Sequence, residues 1–306
     1  MSESFDKPLV SYAIICHNRK DELREALYSI FAQDYKPIEI IVIDNNSSDG
    51  TEALFKTEFA QPNIYFERLH ENLGVSGGRN VAMGKAQGEI MIIIDDDATV
   101  VDPHATAIVI EKFKNDLSIG ALAFKIVDHG TRDIQINKKG FRLRRDNKVD
   151  LDTEFENWGF RGAGHAIRKH VYKEVGPYPD YFPYGHEELD ICLKILNAGY
   201  RIIYFPKVEV THKRITIGRL PRPEIMAVSL ENRIKVALRN LPWCYVFTTA
   251  VVWTGMILIR TRFNLRSIFL AYRNLWRKRY IIMQERRPLS PSLLKKASRL
   301  GAPLYY

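Results

Sequence analysis

Residues 91–94 are four uninterrupted apolar side chains, Met91-Ile92-Ile93-Ile94, and they run straight into three carboxylates, Asp95-Asp96-Asp97. Such a run suits a strand buried on both faces, the environment of a parallel sheet covered by helices. Three adjacent like charges repel unless a cation or a set of donors sits among them. In an open α/β sheet, ligands bind outside the carboxyl ends of the strands, so the acidic triplet falls where a site belongs. Oxygen ligands there suit a hard divalent ion, Mg²⁺ or Mn²⁺, which would in turn hold a phosphate. A solvated acidic turn is the alternative reading of this segment alone.

The preceding ninety residues repeat the pattern of apolar run followed by polar loop. Leu9–Cys16 reads as a first buried strand, emptying into Cys16-His17-Asn18-Arg19 and then a helix with Leu23, Leu27, Ile30 and Phe31 at helical spacing. Glu39–Ile43 reads as a second strand, ending in Asp44-Asn45-Asn46-Ser47-Ser48-Asp49-Gly50-Thr51, a polar turn that opens a helix from Thr51 to Phe59. A third, shorter strand spans Ile64–Leu69, and a glycine-rich loop from Asn72 to Asn80 leads into Val81–Ala86. This β-α-β-α-β order predicts an α/β chain with a doubly wound, mostly parallel sheet. Glycines 74, 77 and 78 would let backbone amides approach a phosphate or a sugar. The run is not G-x-G-x-x-G and follows the third strand, so a dinucleotide-binding Rossmann site matches poorly.

A second acidic group lies further on. Aromatic residues at 178, 181, 182 and 184 precede Glu187-Glu188 and Asp190, which open a helix to about Asn197 with Leu189, Cys192 and Leu196 on one face. Gly199 stands where a helix-terminating glycine belongs. Carboxylates in a first turn are held ionised by the helix dipole and can act as general base on a hydroxyl; they are also simply good helix starters. Arg201–Phe205 forms another strand, and Lys207–Val210 leads to Thr211-His212-Lys213. Trp158 offers a flat surface for a sugar face, or a core residue.

Taken together, these stretches resemble the family 2 glycosyltransferases of GT-A fold, of the rhamnosyltransferase-like kind. The resemblance is carried by Asp44 to Thr51, by Asn72-Leu73-Gly74 with Gly78-Arg79-Asn80, by Asp95-Asp96-Asp97, by Gly162-Ala163-Gly164, and by Phe182 to Asp190. It covers about residues 9–215 in family order. The resemblance implies an inverting, metal-dependent transfer from a nucleotide-diphospho-sugar donor to a hydroxyl of a glycan, lipid-linked or free. By position, it implies that His17, Asn18, Arg19, Asp44 and Arg79 line the base and ribose, with Asn72, Gly74, Asp96 and Gly164 completing the donor site. Asp97 is implied as direct metal ligand, Asp95 as its partner nearer the ribose, and His212 as completing the shell. The family needs two aspartates where this chain has three, which leaves the choice of pair open. Glu188 is implied as the base and Glu187 as an acceptor contact, although the family more often has Asp at the second place. His165 and His186 fall in these motifs without an implied role.

The chain carries a net charge of +9, unevenly distributed. From Thr211 to Tyr306 there are nineteen Lys/Arg against three Asp/Glu, and from Asn232 to Gln284 there is no acid at all. A basic tail on an acidic body points to an anionic surface as partner. Within it, Trp243–Ile259 is seventeen uncharged residues, short of the ~20 a transmembrane helix wants and diluted by three threonines and a glycine. An interfacial helix or helical hairpin fits better. Arg233, Lys235, Arg239, Arg260, Arg262, Arg266, Arg273, Arg277, Lys278 and Arg279 would face anionic lipid, and Trp243, Trp253 and Trp276 would sit at the headgroups. The alternative is an ordinary helical domain packed on the body. The expected organisation is therefore a catalytic domain over 1–215 and a basic helical region over 216–306. Three scattered cysteines without a CxxC pair, and an N-terminus without an apolar export signal, suit the cytoplasmic face of a membrane. A nucleotidyltransferase of similar fold would place a glycine- and Lys/Arg-rich loop after the first strand, which Cys16-His17-Asn18-Arg19 lacks. A catalytically silent glycan-binding protein would not need complete acidic motifs. No nucleic-acid-binding motif accompanies the basic tail.

Overall fold

The computed structural model describes residues 7–135, 150–182, 184–215, 222–263 and 265–304. The first half alternates strictly: β1 (Val10–Cys16), α1 (Lys20–Phe31), β2 (Ile38–Asp44), α2 (Thr51–Thr57), β3 (Ile64–Arg68), α3 (Gly74–Lys85) and β4 (Ile90–Ile94). There follow β5 (Ala98–Val100), α4 (Ala105–Asn115), β6 (Ile119–Asp128), β7 (Phe155–Asn157), β8 (Gly164–Arg168) and α5 (Lys169–Val175). Then come α6 (Glu187–Asn197), β9 (Arg201–His212), and five helices, α7 (Arg222–Asn240), α8 (Trp243–Arg260), α9 (Leu265–Arg277), α10 (Arg279–Gln284) and α11 (Pro291–Arg299).

The strands form one sheet in the order β3-β2-β1-β4-β8-β6-β9-β5, with β7 paired to β9. The expected parallel winding holds for β3-β2-β1-β4. Beyond β4 the sheet is mixed, because β8 enters antiparallel to both β4 and β6 while β6 and β9 run parallel. All five residues of β4 are buried, as its uninterrupted apolar sequence requires. One apolar cluster joins the sheet to α1, α2 and α4, and a second joins the opposite face to α3, α5 and α6.

Three local features differ from the sequence reading. Gly77 and Gly78 lie inside α3, not in an open loop. A Cβ at position 78 would sit 2.7 Å from the Asn45 amide nitrogen and 3.2 Å from an Ile15 methyl, so glycine lets α3 lie directly against the ends of β1 and β2. The strand expected at 201–205 continues to His212; its pairing with β6 skips from Phe205 to Glu209, a bulge that takes up Pro206, which has no N–H to donate. And Gly164 begins β8, where an added Cβ would meet Ile126, Val210 and Phe124.

The C-terminal helices share the second cluster, through residues such as Leu230, Ile234, Val246, Ile257, Leu275 and Leu294. Three of the cations expected to face lipid are turned inward instead. Arg239 is buried and grips Asp190 of α6 with two bonds, Nε to Oδ1 at 2.7 Å and Nη2 to Oδ2 at 3.1 Å. Lys235 is buried, donating to the Tyr181 carbonyl (2.7 Å) and pairing with Glu231 (2.5 Å). Arg233 is buried against the Trp253 ring and donates to the Pro303 carbonyl. Buried charge must be compensated, and the acids of α6 and α7 supply part of what the count of basic residues left unassigned.

Candidate active site

Each loop of the site leaves the carboxyl end of a strand. After β4 the three aspartates diverge and meet different partners. Asp96 turns to Arg19, whose Nη1 lies 2.8 Å from Oδ1. Asp95 accepts from Arg79 Nη2 at 2.9 Å. Asp97 lies 3.1 Å from His212 Nε2, accepts from the Ile215 amide at 2.8 Å, and has Arg19 Nη1 at 3.4 Å. Burial pushes the Asp96 carboxyl up to about 7 against the pull of Arg19. Burial would also raise Asp97, but His212 and Arg19 hold it below the usual carboxylate range.

Asp95, Asp97 and His212 bring one ligand atom each to within 4.8 Å of one another. Gln135 fixes the imidazole: its Nε2 donates to the His212 carbonyl (3.3 Å), so its Oε1 faces His212 Nδ1 at 2.9 Å. Nδ1 therefore carries a proton, and Nε2 points at Asp97 Oδ1, a buried oxygen without a hydrogen-bond partner among the described residues. A carboxylate oxygen and an imidazole lone pair facing one another need a proton or a cation between them. The donor set, two carboxylates and an imidazole with polarising second contacts, fits a divalent ion such as Mn²⁺ or Mg²⁺.

The other acidic group sits on the far side of one guanidinium. Arg79 is buried, and its Nη1 lies 3.2 Å from Glu187 Oε1 and 3.3 Å from Glu188 Oε1, while Nη2 holds Asp95. Local geometry explains how α6 aims its first two side chains there. Gly185 (φ 77°) and His186 (φ 71°) are both left-handed and swing the chain into the helix start. Asn232 of α7 holds that turn from below, donating to the carbonyls of Tyr184 (3.1 Å) and Gly185 (2.9 Å). From α3, Asn80 bonds both the Tyr178 amide and carbonyl, at 2.9 and 2.8 Å, fixing the segment before α6. Burial first, then the charge of Glu188, push the Glu187 carboxyl up to about 8, against the pull of Arg79. Burial beside a second carboxylate thus favours the protonated form of Glu187.

These groups line one cavity of about 1260 Å³. Of the residues named from sequence, His17, Arg19, Asn72, Gly74, Arg79, the three aspartates, both glutamates and His212 line it. Asn18, Asp44 and Gly164 do not. Asn18 and Asp44 hold the loops instead: Asn18 accepts from the Ser48 amide (2.8 Å) and its own amide donates to Ser47 Oγ (2.9 Å), while the buried Asp44 accepts from the Ser47 amide (2.9 Å) and hydroxyl (2.5 Å). Trp158 belongs to the core and also lines the cavity. His165 is core, stacked on Phe160 at 3.9 Å and 3.2 Å from the Tyr178 hydroxyl. Arg161 and Arg214 line the wall near the aspartates and were missed; the signal available was their position, next to Gly162 and two residues after His212.

Residues 11–176 match the family model described as Glycosyl transferase family 2. A protein of Haemophilus influenzae named only as uncharacterized is 33% identical over 181 residues, covering 57% of this chain and 95% of that protein. The poly-beta-1,6-N-acetyl-D-glucosamine synthase of Staphylococcus aureus (strain MSSA476) is 31% identical over 209 residues, 64% of this chain; the chain spans about half of that synthase, 48%. Among solved structures, a mannosyltransferase of Pyrobaculum calidifontis in complex with GDP-Man and Mn²⁺ superposes with a TM-score of 0.58 at 20% identity, over 96% of this chain and 80% of its own. That likeness is one of fold, the GT-A architecture.

Proposed function

This chain belongs to glycosyl transferase family 2, and on that premise we propose that it is an inverting, metal-dependent hexosyl- or deoxyhexosyltransferase. It moves a sugar from a nucleotide-diphospho-sugar to a hydroxyl of a glycan acceptor. The observation that carries this reading is the Arg79 guanidinium, in contact with Asp95 on one side and with Glu187 and Glu188 on the other. A metal-binding end and a proton-accepting end thereby share one pocket.

Asp95, Asp97 and His212 would hold Mg²⁺ or Mn²⁺, which when bound supplies Lewis-acid stabilisation of the charge growing on the departing diphosphate. Arg161 and Arg214 add fixed positive charge on the same wall. Glu188 takes the proton of the acceptor hydroxyl as its oxygen attacks C1 of the donor sugar. The bond from C1 to the diphosphate oxygen breaks, the electron pair leaves with the nucleoside diphosphate, and C1 inverts. Glu187, whose burial favours the protonated form, can donate a hydrogen bond to the acceptor.

The protein works at the cytoplasmic face of a membrane in this reading, resting on it peripherally. Exposed apolar side chains on α9 recur at Leu265, Phe269, Tyr272 and Trp276, one helical stripe, while its opposite face buries Ser267, Ala271 and Leu275. Trp243, Phe247 and Val251 continue the exposed surface on α8. By length and composition α8 could cross a membrane, and only 17% of it is buried; its three threonines and the adjoining stripe on α9 favour lying in the interface. Exposed Arg262 and Arg273 supply attraction to anionic lipid of about 1 kcal/mol each. A thermal-shift screen of nucleotide-sugars with and without Mn²⁺ tests the donor assignment. One nucleotide-sugar is expected to stabilise the chain only when the ion is present; stabilisation by none of them would end the reading.

A further inference from the structure

The cavity continues past the glutamate pair into the C-terminal helices. There its wall is made by Trp253, Met256 and Arg260 of α8, by Asn274 and Arg277 of α9, and by Lys278. His186, the residue before Glu187, packs edge-on against Trp253 at 5.5 Å, so this chamber adjoins the start of the helix that carries the proposed base. Its charge is strongly positive. Arg260, Arg277 and Lys278 have no carboxylate partner among the described residues, and Arg260 and Arg277 are exposed. Buried Arg233 adds a fourth cation. The acids facing this end are Asp180 and Glu231; Glu231 is already engaged by Lys235 at 2.5 Å and by Asn274 at 2.9 Å.

Unpaired cations on a cavity wall beside a proton acceptor call for an anion on the molecule that presents the hydroxyl. The donor's diphosphate does not fill this role, since its countercharges lie at the aspartate end. The same helices carry the exposed apolar stripe, so a hydrocarbon chain leaving the basic chamber has a surface to follow. We propose that the acceptor is a phosphate-linked lipid saccharide, its phosphate or diphosphate held by Arg260, Arg277 and Lys278 and its sugar reaching Glu188. This deepens, and rests on, the reading of Glu188 as the base. The guanidinium groups can bind phosphate oxygens two at a time, and the lysine adds a point charge.

The test uses the full chain in detergent micelles with EDTA, so that no divalent ion draws diphosphate to the aspartates. Farnesyl diphosphate, farnesol and inorganic diphosphate are titrated against tryptophan fluorescence. Farnesyl diphosphate is expected to bind at least about tenfold more tightly than either comparator, because it alone offers both parts. The variant R260Q/R277Q/K278Q should lose affinity for farnesyl diphosphate on the order of tenfold to hundredfold and cease to distinguish it from farnesol. Should the triple variant fold poorly, R260Q and R277Q alone, at exposed positions, should each lose part of the effect. Equal binding of farnesol overturns the anion, and equal binding of inorganic diphosphate overturns the lipid in favour of a soluble phosphate. Unchanged affinity in the variants overturns the residues. If nucleotide-sugar with Mn²⁺ still stabilises the wild type while this panel fails, only the acceptor assignment falls; if both fail, the transferase reading falls with it.

Discussion

Substituting Arg239 by Met asks whether the C-terminal helices are part of the catalytic body or an appendage to it. Asp190 is fully buried in α6, three residues beyond Glu187, and Arg239 of α7 contributes two of its bonds. Removing one member of a buried ion pair costs about 3–5 kcal/mol. Asp190 keeps Asn240 at 2.6 Å and Lys194 at 3.3 Å, so the lower end, about 3 kcal/mol, is expected here. For a chain of this size that lowers Tm by about 6 °C. The pH dependence has a definite sign. Burial would raise the Asp190 carboxyl, but Lys194 and Arg239 hold it below its ordinary value. A depressed carboxylate stabilises the fold above its unfolded pKa of ~3.9 and loses that contribution as pH falls through its folded value. The gap between wild type and R239M should therefore be full at pH 7 and shrink in acid below about pH 4. Urea and thermal unfolding followed by circular dichroism measure it, and both proteins should unfold in one transition, because α7 to α11 share a core cluster with α6. A cost under about 1 kcal/mol at pH 7, or a separate early transition of the tail, would refute the reasoning.

Further outcomes follow from the same geometry. Asp97→Asn should abolish the Mn²⁺-dependent part of the thermal stabilisation by donor while leaving the metal-free Tm within a few degrees; an unchanged Mn²⁺ response would exclude Asp97 as a ligand. Glu187 has a raised pKa, so its protonated form stabilises the fold below about pH 4.5 and the contribution is lost as pH rises through about 8. Glu187→Gln should consequently flatten the fall of Tm between about pH 5 and 8, and a parallel fall in both proteins would contradict a raised Glu187 carboxyl. Phe269→Ser with Trp276→Ser removes two exposed apolar groups, each worth about 2 kcal/mol when buried in lipid, and should weaken flotation with anionic vesicles by tenfold or more. Flotation equal to wild type would move the contact surface elsewhere.

Much of the body could be read from local pattern, because its signals are local. Met91–Ile94 is apolar at every position and all of it is buried; the acids at 187, 188 and 190 do open a helix. What local pattern could not show is pairing across the chain. Arg79 meets Glu187 and Glu188 from 108 and 109 residues away, and nothing in Gly78-Arg79-Asn80 reveals that its guanidinium joins two acidic groups. Charge counting failed at Arg233, Lys235 and Arg239 for a related reason: composition registers a cation but not which acid lies behind it. Local pattern marks no strand at 164–168 because Gly164 hides the start of β8, a five-residue strand with antiparallel neighbours on both sides. Glycines 77 and 78 suggested an open phosphate loop; a helix pressed against Asn45 asks for the same residue.

Glu188 is the group proposed to accept the acceptor's proton, across the pocket from the Asp95, Asp97 and His212 proposed to hold the metal. The most direct measurement is single-turnover sugar transfer by Glu188→Gln beside its Mn²⁺-dependent affinity for donor. Donor affinity within about threefold of wild type is expected, with transfer slower by about 10²–10⁴-fold, the usual worth of a general base. Transfer at the wild-type rate, with donor bound normally, would contradict the assignment of Glu188 as base.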